Sequence, residues 1–217
     1  MCGIFGIISN VPVNKREIKY LSNSVQKRGK DASGIMFYHS QKKAYFAKRS
    51  SERITSLLRK THTKDVNFLI GHSRLVTNSY EDNQPIIRNN ISVIHNGIIV
   101  NAEEIWNKLN IAPFQKIDSE ILAGITEDSL IEDLSLSSIV KKIIALTKGT
   151  ISTGIAIPDI GKLILFSNNG SLFTGKKSKN FYFASEKHTL EELNCISIEQ
   201  LNNTYKILDI PKSDLPI

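Results

Sequence analysis

Short apolar segments rich in β-branched residues recur along the chain, separated by glycine, asparagine or charged residues. Segments of this length and composition predict β-strands, and many are too uniformly apolar to leave one face in water. The predicted strands are residues 3–9, 34–39, 43–47, 67–71, 91–95, 150–157, 162–167, 171–174 and 180–184. The pattern therefore indicates sheets that are largely buried.

Between these strands, apolar residues recur every three or four positions, as in helices with one buried face. Ile18, Leu21 and Val25 share such a face in the first of them. Asn101 is predicted to cap another helix, with Glu104 at the capping-box position. The predicted helices are about residues 14–27, 101–109, 118–127 and 134–147.

The order of these elements is mixed, with strand pairs and helices in alternating blocks rather than a regular strand-helix-strand repeat. This order favours an α+β fold with largely antiparallel sheets stacked under helices. No internal repeat, low-complexity tract or linker rich in proline and glycine divides the chain. We therefore expect residues 1–217 to form a single domain, a sandwich of sheets between helical layers.

Composition narrows the class of protein. At 217 residues, with 41% hydrophobic and 23% charged residues, the chain suits one sizeable globular core. No apolar run has the length of a membrane helix and no leader is visible, so a soluble, cytoplasmic protein is expected. The net charge of +7 is scattered without interleaved aromatics, which favours solvated faces over nucleic-acid binding. Cys2 and Cys195 are expected to be reduced, and no function is predicted for Cys195.

Cys2 directly follows Met1, and its small side chain favours removal of that methionine. A cysteine at a free N-terminus joins a thiol nucleophile to an α-amino group, whose usual pKa of about 7.7–8.0 lets it accept the thiol proton near neutral pH. Taken alone, a cysteine in this place is more often a small apolar residue at the start of a buried strand. The catalytic interpretation depends on the motifs that follow.

Four further motifs have both a structural and a chemical interpretation. One ends a helix at Gly29, and another ends a strand at Arg74, whose guanidinium suits either a salt bridge or a bound carboxylate. Asn96 and Gly97 form either a turn or a pair of oxyanion donors, and Asp118 stands where acidic residues also cap helices. The motifs are Arg28-Gly29-Lys30-Asp31-Ala32-Ser33-Gly34, Gly71-His72-Ser73-Arg74, His95-Asn96-Gly97 and Asp118-Ser119-Glu120.

Behind Met1-Cys2-Gly3-Ile4-Phe5-Gly6, this ordered set resembles the class II, or N-terminal nucleophile, glutamine amidotransferase domain. The pattern looks closer to the glutaminase domains of glucosamine-6-phosphate synthase and amidophosphoribosyltransferase than to asparagine synthetase. The resemblance implies the four-layer αββα sandwich of N-terminal nucleophile hydrolases. Further similar segments, which extend it over nearly the whole chain, are Asn83-Gln84-Pro85, Gly149-Thr150, Asn169-Gly170-Ser171 and Phe183-Ala184-Ser185-Glu186.

The resemblance implies a role for each matched residue. Cys2 is the nucleophile that attacks the side-chain amide of L-glutamine, giving a thioester, ammonia and then glutamate. Asn96 and Gly97 form the oxyanion hole. Arg74 binds the α-carboxylate of glutamine and Asp118 binds its α-ammonium group.

Other residues have supporting roles in the same resemblance. Thr77 lines the glutamine pocket, while Arg28 and Asp31 support the N-terminus. No cofactor and no metal are implied. His72 and His95 lack the spacing of metal ligands and are expected to be structural.

Two departures from the family's pattern change the expectation. Leu75, Asn78 and Ser79 replace the aromatic residue, histidine and glycine that usually follow the arginine, so the loop that covers glutamine differs. No synthase domain follows the glutaminase motifs, so the sequence is either a separate glutaminase subunit or a piece of a longer protein. We expect ammonia to pass to a separate synthase, whose acceptor stays open. Two alternatives remain, a non-catalytic glutamine-sensing module and another N-terminal nucleophile amidohydrolase.

Overall fold

The computed structural model describes residues 2–75, 83–115 and 117–217. Within these ranges the helices are α1 (Lys15–Gln26), α2 (Ile54–Arg59), α3 (Ala102–Trp106), α4 (Glu120–Ile131), α5 (Leu136–Leu146) and α6 (Lys187–Glu192). The strands are β1 (Gly3–Ile8), β2 (Ala32–His39), β3 (Ala44–Ser50), β4 (Val66–Arg74), β5 (Ile86–Arg88), β6 (Ile91–Ile99), β7 (Gly149–Ile157), β8 (Lys162–Ser167), β9 (Phe173–Lys177), β10 (Asn180–Ala184), β11 (Ile196–Gln200) and β12 (Thr204–Asp209). None of the described helices is long and apolar enough to cross a membrane.

The strands form two antiparallel sheets. Among the described residues, one sheet has seven strands in the order β11-β9-β10-β1-β4-β2-β3, and the other has five in the order β12-β8-β7-β6-β5. In the larger sheet, β1 lies between β10 and β4, with Gly3 opposite Ser73. In the smaller sheet, β6 pairs with β7, with Asn96 opposite Ser152. Strand β1, which directly follows Cys2, thus lies in the centre of one sheet, while the Asn-Gly motif lies in the other.

Within the described part of the chain, three apolar cores hold the layers together. Helices α1, α2 and α6 cover the outer face of the larger sheet, with Leu21 packed near Ile35. Helices α3, α4 and α5 cover the smaller sheet, with Ile125 packed near Ile155. A third core, which includes Ile70, lies between the two sheets. The protein is therefore the αββα sandwich that the sequence indicates, and the uniformly apolar strands are those covered on both faces.

The structure corrects several predicted boundaries. The strand predicted over residues 91–95 continues to Ile99, so the Asn-Gly dipeptide lies inside β6 instead of forming a turn. The helix predicted over 101–109 ends at Trp106. Helices α2 and α6 and strands β5, β11 and β12 were not predicted, because each has six residues or fewer and too little periodicity to be recognised.

The predicted capping box at Asn101 is wrong. Asn101 stands at the N-cap of α3, but its side chain makes no capping hydrogen bond. It accepts a hydrogen bond from the Lys148 backbone N–H at 2.8 Å and donates to the Leu146 carbonyl at 2.9 Å. Asn101 therefore joins the end of β6 to the connection between α5 and β7, a long-range partner that local sequence does not reveal.

Candidate active site

Six of the predicted site residues meet in a cleft of about 670 Å³ at one end of the sandwich, where β1 and β4 contact β6 across the sheet interface. The six that line it are Cys2, Arg28, Arg74, Asn96, Gly97 and Asp118. They come from both sheets and from the turns after α1 and before α4. Residues separated by more than a hundred positions in the sequence thus face one volume.

Two predicted residues are not among these six. Asp31 does not line the cleft, and its backbone N–H donates to the Arg74 carbonyl at 3.0 Å, so it lies behind the cleft wall. Thr77 lies outside the described residues, as do Asn78 and Ser79.

The N-terminal strand is fixed by side chains from distant parts of the chain. Arg28 donates from Nε to the Cys2 carbonyl at 2.8 Å and from a terminal nitrogen to Glu186 at 2.8 Å. The Ser185 hydroxyl accepts a hydrogen bond from the Ile4 backbone N–H at 2.9 Å. Cys2 itself is half-buried with a free thiol. The sulfur is thus presented at the cleft by a strand whose start is held from both sides.

Gly29 allows the turn after α1 to pack directly against Arg74. A Cβ atom at position 29 would lie 2.4 Å from the Arg74 carbonyl carbon, which no real side chain permits. The Ser73 hydroxyl donates to the Gly29 carbonyl at 2.6 Å and fixes the same contact. The glycine of the first motif is therefore needed for close approach and not for a left-handed helix cap, since its φ is not positive.

Asn96 and Gly97 face the cleft from within β6. The Asn96 side chain is mostly buried and forms no hydrogen bond with the described part of the chain. Gly97 has a φ of +156°, and a Cβ atom there would lie 1.9 Å from the Thr150 carbonyl oxygen. A side chain is thus excluded at position 97, and the Asn96 amide keeps its donors available for a ligand.

Asp118 lies across the cleft, just before α4. Its Oδ2 atom accepts a hydrogen bond from the Ile99 backbone N–H at 2.8 Å. Among the described residues that line the cleft, Asp118 is the acidic one, whereas Arg28 and Arg74 are cationic. A carboxylate with two arginines matches the charges of a zwitterionic amino acid.

Residues to which the sequence analysis gave no catalytic or binding role connect these elements. Ser119 Oγ lies 2.9 Å from His95 Nδ1 and 3.2 Å from Asp118 Oδ1. Gln84 Nε2 donates a hydrogen bond to Ser119 Oγ at 3.3 Å. Thr150 contributes its carbonyl, 3.3 Å from His95 Nε2. The Ser119 hydroxyl donates its one proton to Asp118 Oδ1, so Ser119 links the His95 ring to the carboxylate. The network fixes the wall on which Asp118 stands.

Both histidines near the cleft are buried, and burial lowers their pKa values. For His72 burial and then the nearby Arg74 charge lower the pKa to about 3. Burial also lowers the pKa of His95. Both rings are therefore neutral near pH 7. No group of three or more histidine, cysteine or acidic side chains is placed to hold a metal ion within residues 2–75, 83–115 and 117–217.

Four of the described residues that line the cleft were not predicted as site residues, although each lies in a segment with weak similarity to the family. Gln84, Thr150 and Asn169 all line the cleft, and each lies in a segment of partial similarity to the motif set. Ser171, from the same segment as Asn169, lines it too. Their individual types carry no distinctive chemistry, so only their position in the cleft indicates a role.

Comparison with known proteins finds glutamine amidotransferases among the relatives of this chain. A family profile described as a glutamine amidotransferase domain matches residues 72–192. A glutamine-fructose-6-phosphate aminotransferase (isomerizing) of Wigglesworthia glossinidia brevipalpis is 30% identical over 164 residues, which are 70% of this chain and 26% of the relative. An amidophosphoribosyltransferase of Pasteurella multocida is 27% identical over 216 residues, covering 88% of this chain and 42% of the relative.

A solved structure is similar over nearly the whole chain. The glutamine phosphoribosylpyrophosphate amidotransferase from B. subtilis, complexed with ADP and GMP, has a TM-score of 0.80 and 25% sequence identity. The match covers 96% of this chain and 47% of that chain. The chain thus spans less than half the length of each of these three proteins.

Proposed function

Because the chain belongs to the class II glutamine amidotransferase domain family, we propose that it hydrolyses L-glutamine to L-glutamate and ammonia with Cys2 as the nucleophile. The observation that carries this proposal is the meeting of Cys2, Asn96, Gly97, Arg74 and Asp118 in one cleft. Binding alone does not require a nucleophile opposite unengaged amide donors. We propose further that residues 1–217 act as one glutaminase domain, whose two sheets share an apolar core.

The first half of the reaction uses the free N-terminus. After removal of Met1, the α-amino group of Cys2 takes the thiol proton, and the sulfur attacks the side-chain carbonyl carbon of glutamine. The carbonyl oxygen becomes an oxyanion that accepts hydrogen bonds from the Asn96 amide and the Gly97 backbone N–H. The C–N bond then breaks, and the α-ammonium proton goes to the departing nitrogen, which leaves as ammonia.

The second half regenerates the enzyme. The γ-glutamyl thioester on Cys2 is attacked by water, whose proton is taken by the α-amino group. The C–S bond breaks, glutamate leaves and the thiol is restored. Arg74 holds the α-carboxylate and Asp118 the α-ammonium group throughout, so that the γ-amide alone reaches the sulfur. Arg28 supports the geometry by holding the Cys2 carbonyl.

We propose that the ammonia passes to a separate synthase that docks at the mouth of the cleft. Leu75 and Ile98 line this cleft and are 45% and 64% exposed, respectively. Exposed apolar side chains at the rim of a polar site favour a protein partner. The acceptor of the ammonia is not indicated by the residues of this chain.

Two alternative functions could be performed by the same cleft, glutamine sensing and hydrolysis of another amide. A glutamine sensor requires Arg74 and Asp118 but no nucleophile, and another amidohydrolase requires Cys2 but no pairing with an amino-acid zwitterion. The unengaged donors of Asn96 opposite Cys2 favour catalysis over sensing. The opposed charges of Arg74 and Asp118 favour glutamine over simple amides.

The test combines intact mass, covalent trapping and turnover. We expect the purified protein to lack Met1, to form a single adduct on Cys2 with a diazo-ketone analogue of glutamine, and to release glutamate from glutamine. Asparagine and γ-glutamyl anilides serve as competing substrates. Glutamine binding without adduct or glutamate release would support the sensor, and faster turnover of an anilide would support the other amidohydrolase.

A further inference from the structure

Arg88, at the end of β5, is a buried arginine that does not line the cleft and to which the motifs assign no role. Its side chain is 2% exposed. The guanidinium carbon lies 3.9 Å from the centre of the Phe114 ring and 5.3 Å from that of Trp106. A buried cation between two aromatic rings is a costly arrangement unless its hydrogen bonds are fully used.

Those hydrogen bonds go to two acidic residues of α4. One terminal nitrogen of Arg88 donates to Glu120 at 2.9 Å, and Nε donates to Glu127. The Glu120 side chain is fully buried. Replacing a buried ion pair by apolar residues is often neutral for stability, so stability alone does not account for this pair.

Glu120 also contacts the backbone before Asp118, which indicates the segment that the Arg88–Glu120 ion pair holds in place. Its two carboxylate oxygens accept backbone N–H groups from Phe114 at 2.9 Å and Gln115 at 2.8 Å. Glu120 therefore ties the chain that precedes Asp118 to the helix that follows it. The Asp118 carbonyl accepts from the Ile121 N–H at 3.1 Å within the same first turn.

We propose that Arg88 is a positioning residue for substrate recognition, which acts through Glu120 to hold the Asp118 carboxylate where it meets the α-ammonium group of glutamine. The inference rests on the proposed role of Asp118. The Arg88 guanidinium fixes the Glu120 carboxylate, the carboxylate fixes the backbone on both sides of Asp118, and the Ile99 N–H fixes one oxygen of Asp118.

Arginine is suited to this place and lysine is not. The guanidinium donates in two directions to Glu120 and Glu127 while its flat face packs on Phe114. A lysine ammonium keeps the charge but has neither the fork nor the flat face. Arg88→Lys therefore separates the geometry of the contact from its charge.

Binding to a Cys2→Ala protein tests the inference without relying on turnover. The two ligands are glutamine and glutaramate, which is glutamine without its α-amino group, and calorimetry gives both dissociation constants. In the parent, Asp118 favours glutamine. We expect Arg88→Met and Arg88→Lys to weaken glutamine binding by roughly ten- to a hundredfold, as for loss of a charge-assisted hydrogen bond. We expect glutaramate binding to be unchanged, so the preference for glutamine collapses.

The matched control is Arg53→Met, since Arg53 is exposed, precedes α2 in the other helical layer and has no ion pair with the described residues. It should leave both dissociation constants unchanged. Should Arg88→Met fail to fold, Arg88→Lys and Glu120→Gln, which keeps the shape of the carboxylate, carry the same test. Circular dichroism and thermal melting verify that each variant is folded.

Three outcomes would overturn the inference: an unchanged preference in folded Arg88 variants, equal weakening of both ligands, or no binding of either ligand by the Cys2→Ala parent. Equal weakening would indicate general loosening of the cleft. If the selective loss is seen but the Cys2 protein releases no glutamate, the positioning role stands and the proposed catalysis fails. If glutamate is released while the preference is unchanged, catalysis stands and the positioning role fails.

Discussion

Arg28 donates a hydrogen bond from Nε to the backbone carbonyl of Cys2 at 2.8 Å. The same guanidinium forms an ion pair with Glu186 at 2.8 Å, and its side chain is 13% exposed. Arg28 lies just beyond α1 and Glu186 just beyond β10, and together they fix the backbone from which Cys2, the proposed nucleophile, projects. The contact stabilises the orientation of the Cys2 backbone.

We therefore expect Arg28→Met to lower kcat for glutamine hydrolysis by about tenfold to a hundredfold with little change in KM, because misplacement of a reacting atom by about 1 Å has effects of that size. Steady-state kinetics of Arg28→Met beside the exposed control Arg16→Met provides the measurement. A raised KM with the parent kcat in the Arg28→Met protein would contradict this role.

The two cysteines should differ in reactivity. Cys195 is buried, and burial raises the pKa of its thiol to about 11, which keeps it protonated and slow to react. Cys2 is half-buried and lines the cleft. At mildly alkaline pH, iodoacetamide should give one adduct, on Cys2, and peptide mass mapping locates it. Cys195→Ala should retain full turnover, whereas Cys2→Ala should release no glutamate; equal labelling of both cysteines would count against this prediction.

Loss of the Asn96 amide should affect the transition state more than the bound substrate. Removal of one oxyanion donor typically costs about 2.7–4 kcal/mol of barrier, so Asn96→Ala should lower kcat on the order of a hundred- to a thousandfold at similar KM. Asn23→Ala, on the exposed side of α1, is the control and should be neutral. A purely structural Asn96 would show its loss in thermal stability and not in kcat.

Acid should destabilise the fold through its buried histidines. The pKa of His72 is about 3 in the folded protein, against 6.5 for an unperturbed histidine, so the unfolded chain binds a proton that the native state does not. The contribution of neutral His72 to the free energy of unfolding is complete above pH 6.5. It is lost as the pH falls towards 3, by about 1.4 kcal/mol per pH unit. His95, whose pKa is also lowered, acts in the same direction.

Urea unfolding across this pH range measures the effect. His72→Phe should reduce the slope of the unfolding free energy against pH, whatever its effect on stability at pH 7. The exposed His188→Gln should leave the slope as in the parent. An unchanged slope in His72→Phe would mean that His72 is protonated in the folded state.

Part of this protein follows from local sequence. The alternation of apolar segments and helical spacings is sufficient for an α+β fold, because burial of whole strands and of one helix face needs a regular pattern. Short elements such as α2 and β5 are not predicted, because they are too short to show a regular pattern. The Asn101 side chain bonds to the distant Lys148 backbone and does not form the predicted cap.

The sequence by itself determined the chemical types at the site and their order, from Cys2 through Arg74 and Asn96 to Asp118. Only the tertiary structure decided that they share one cleft. Cys2 directly precedes β1 and Asn96 lies in β6, and these strands of different sheets meet through packing of the two layers. It also decided the contacts of Arg88 with Glu120, which depend on how β5 lies against α4. Residue type fixes what a side chain can do, but distance and burial, set by long-range packing, fix what it does.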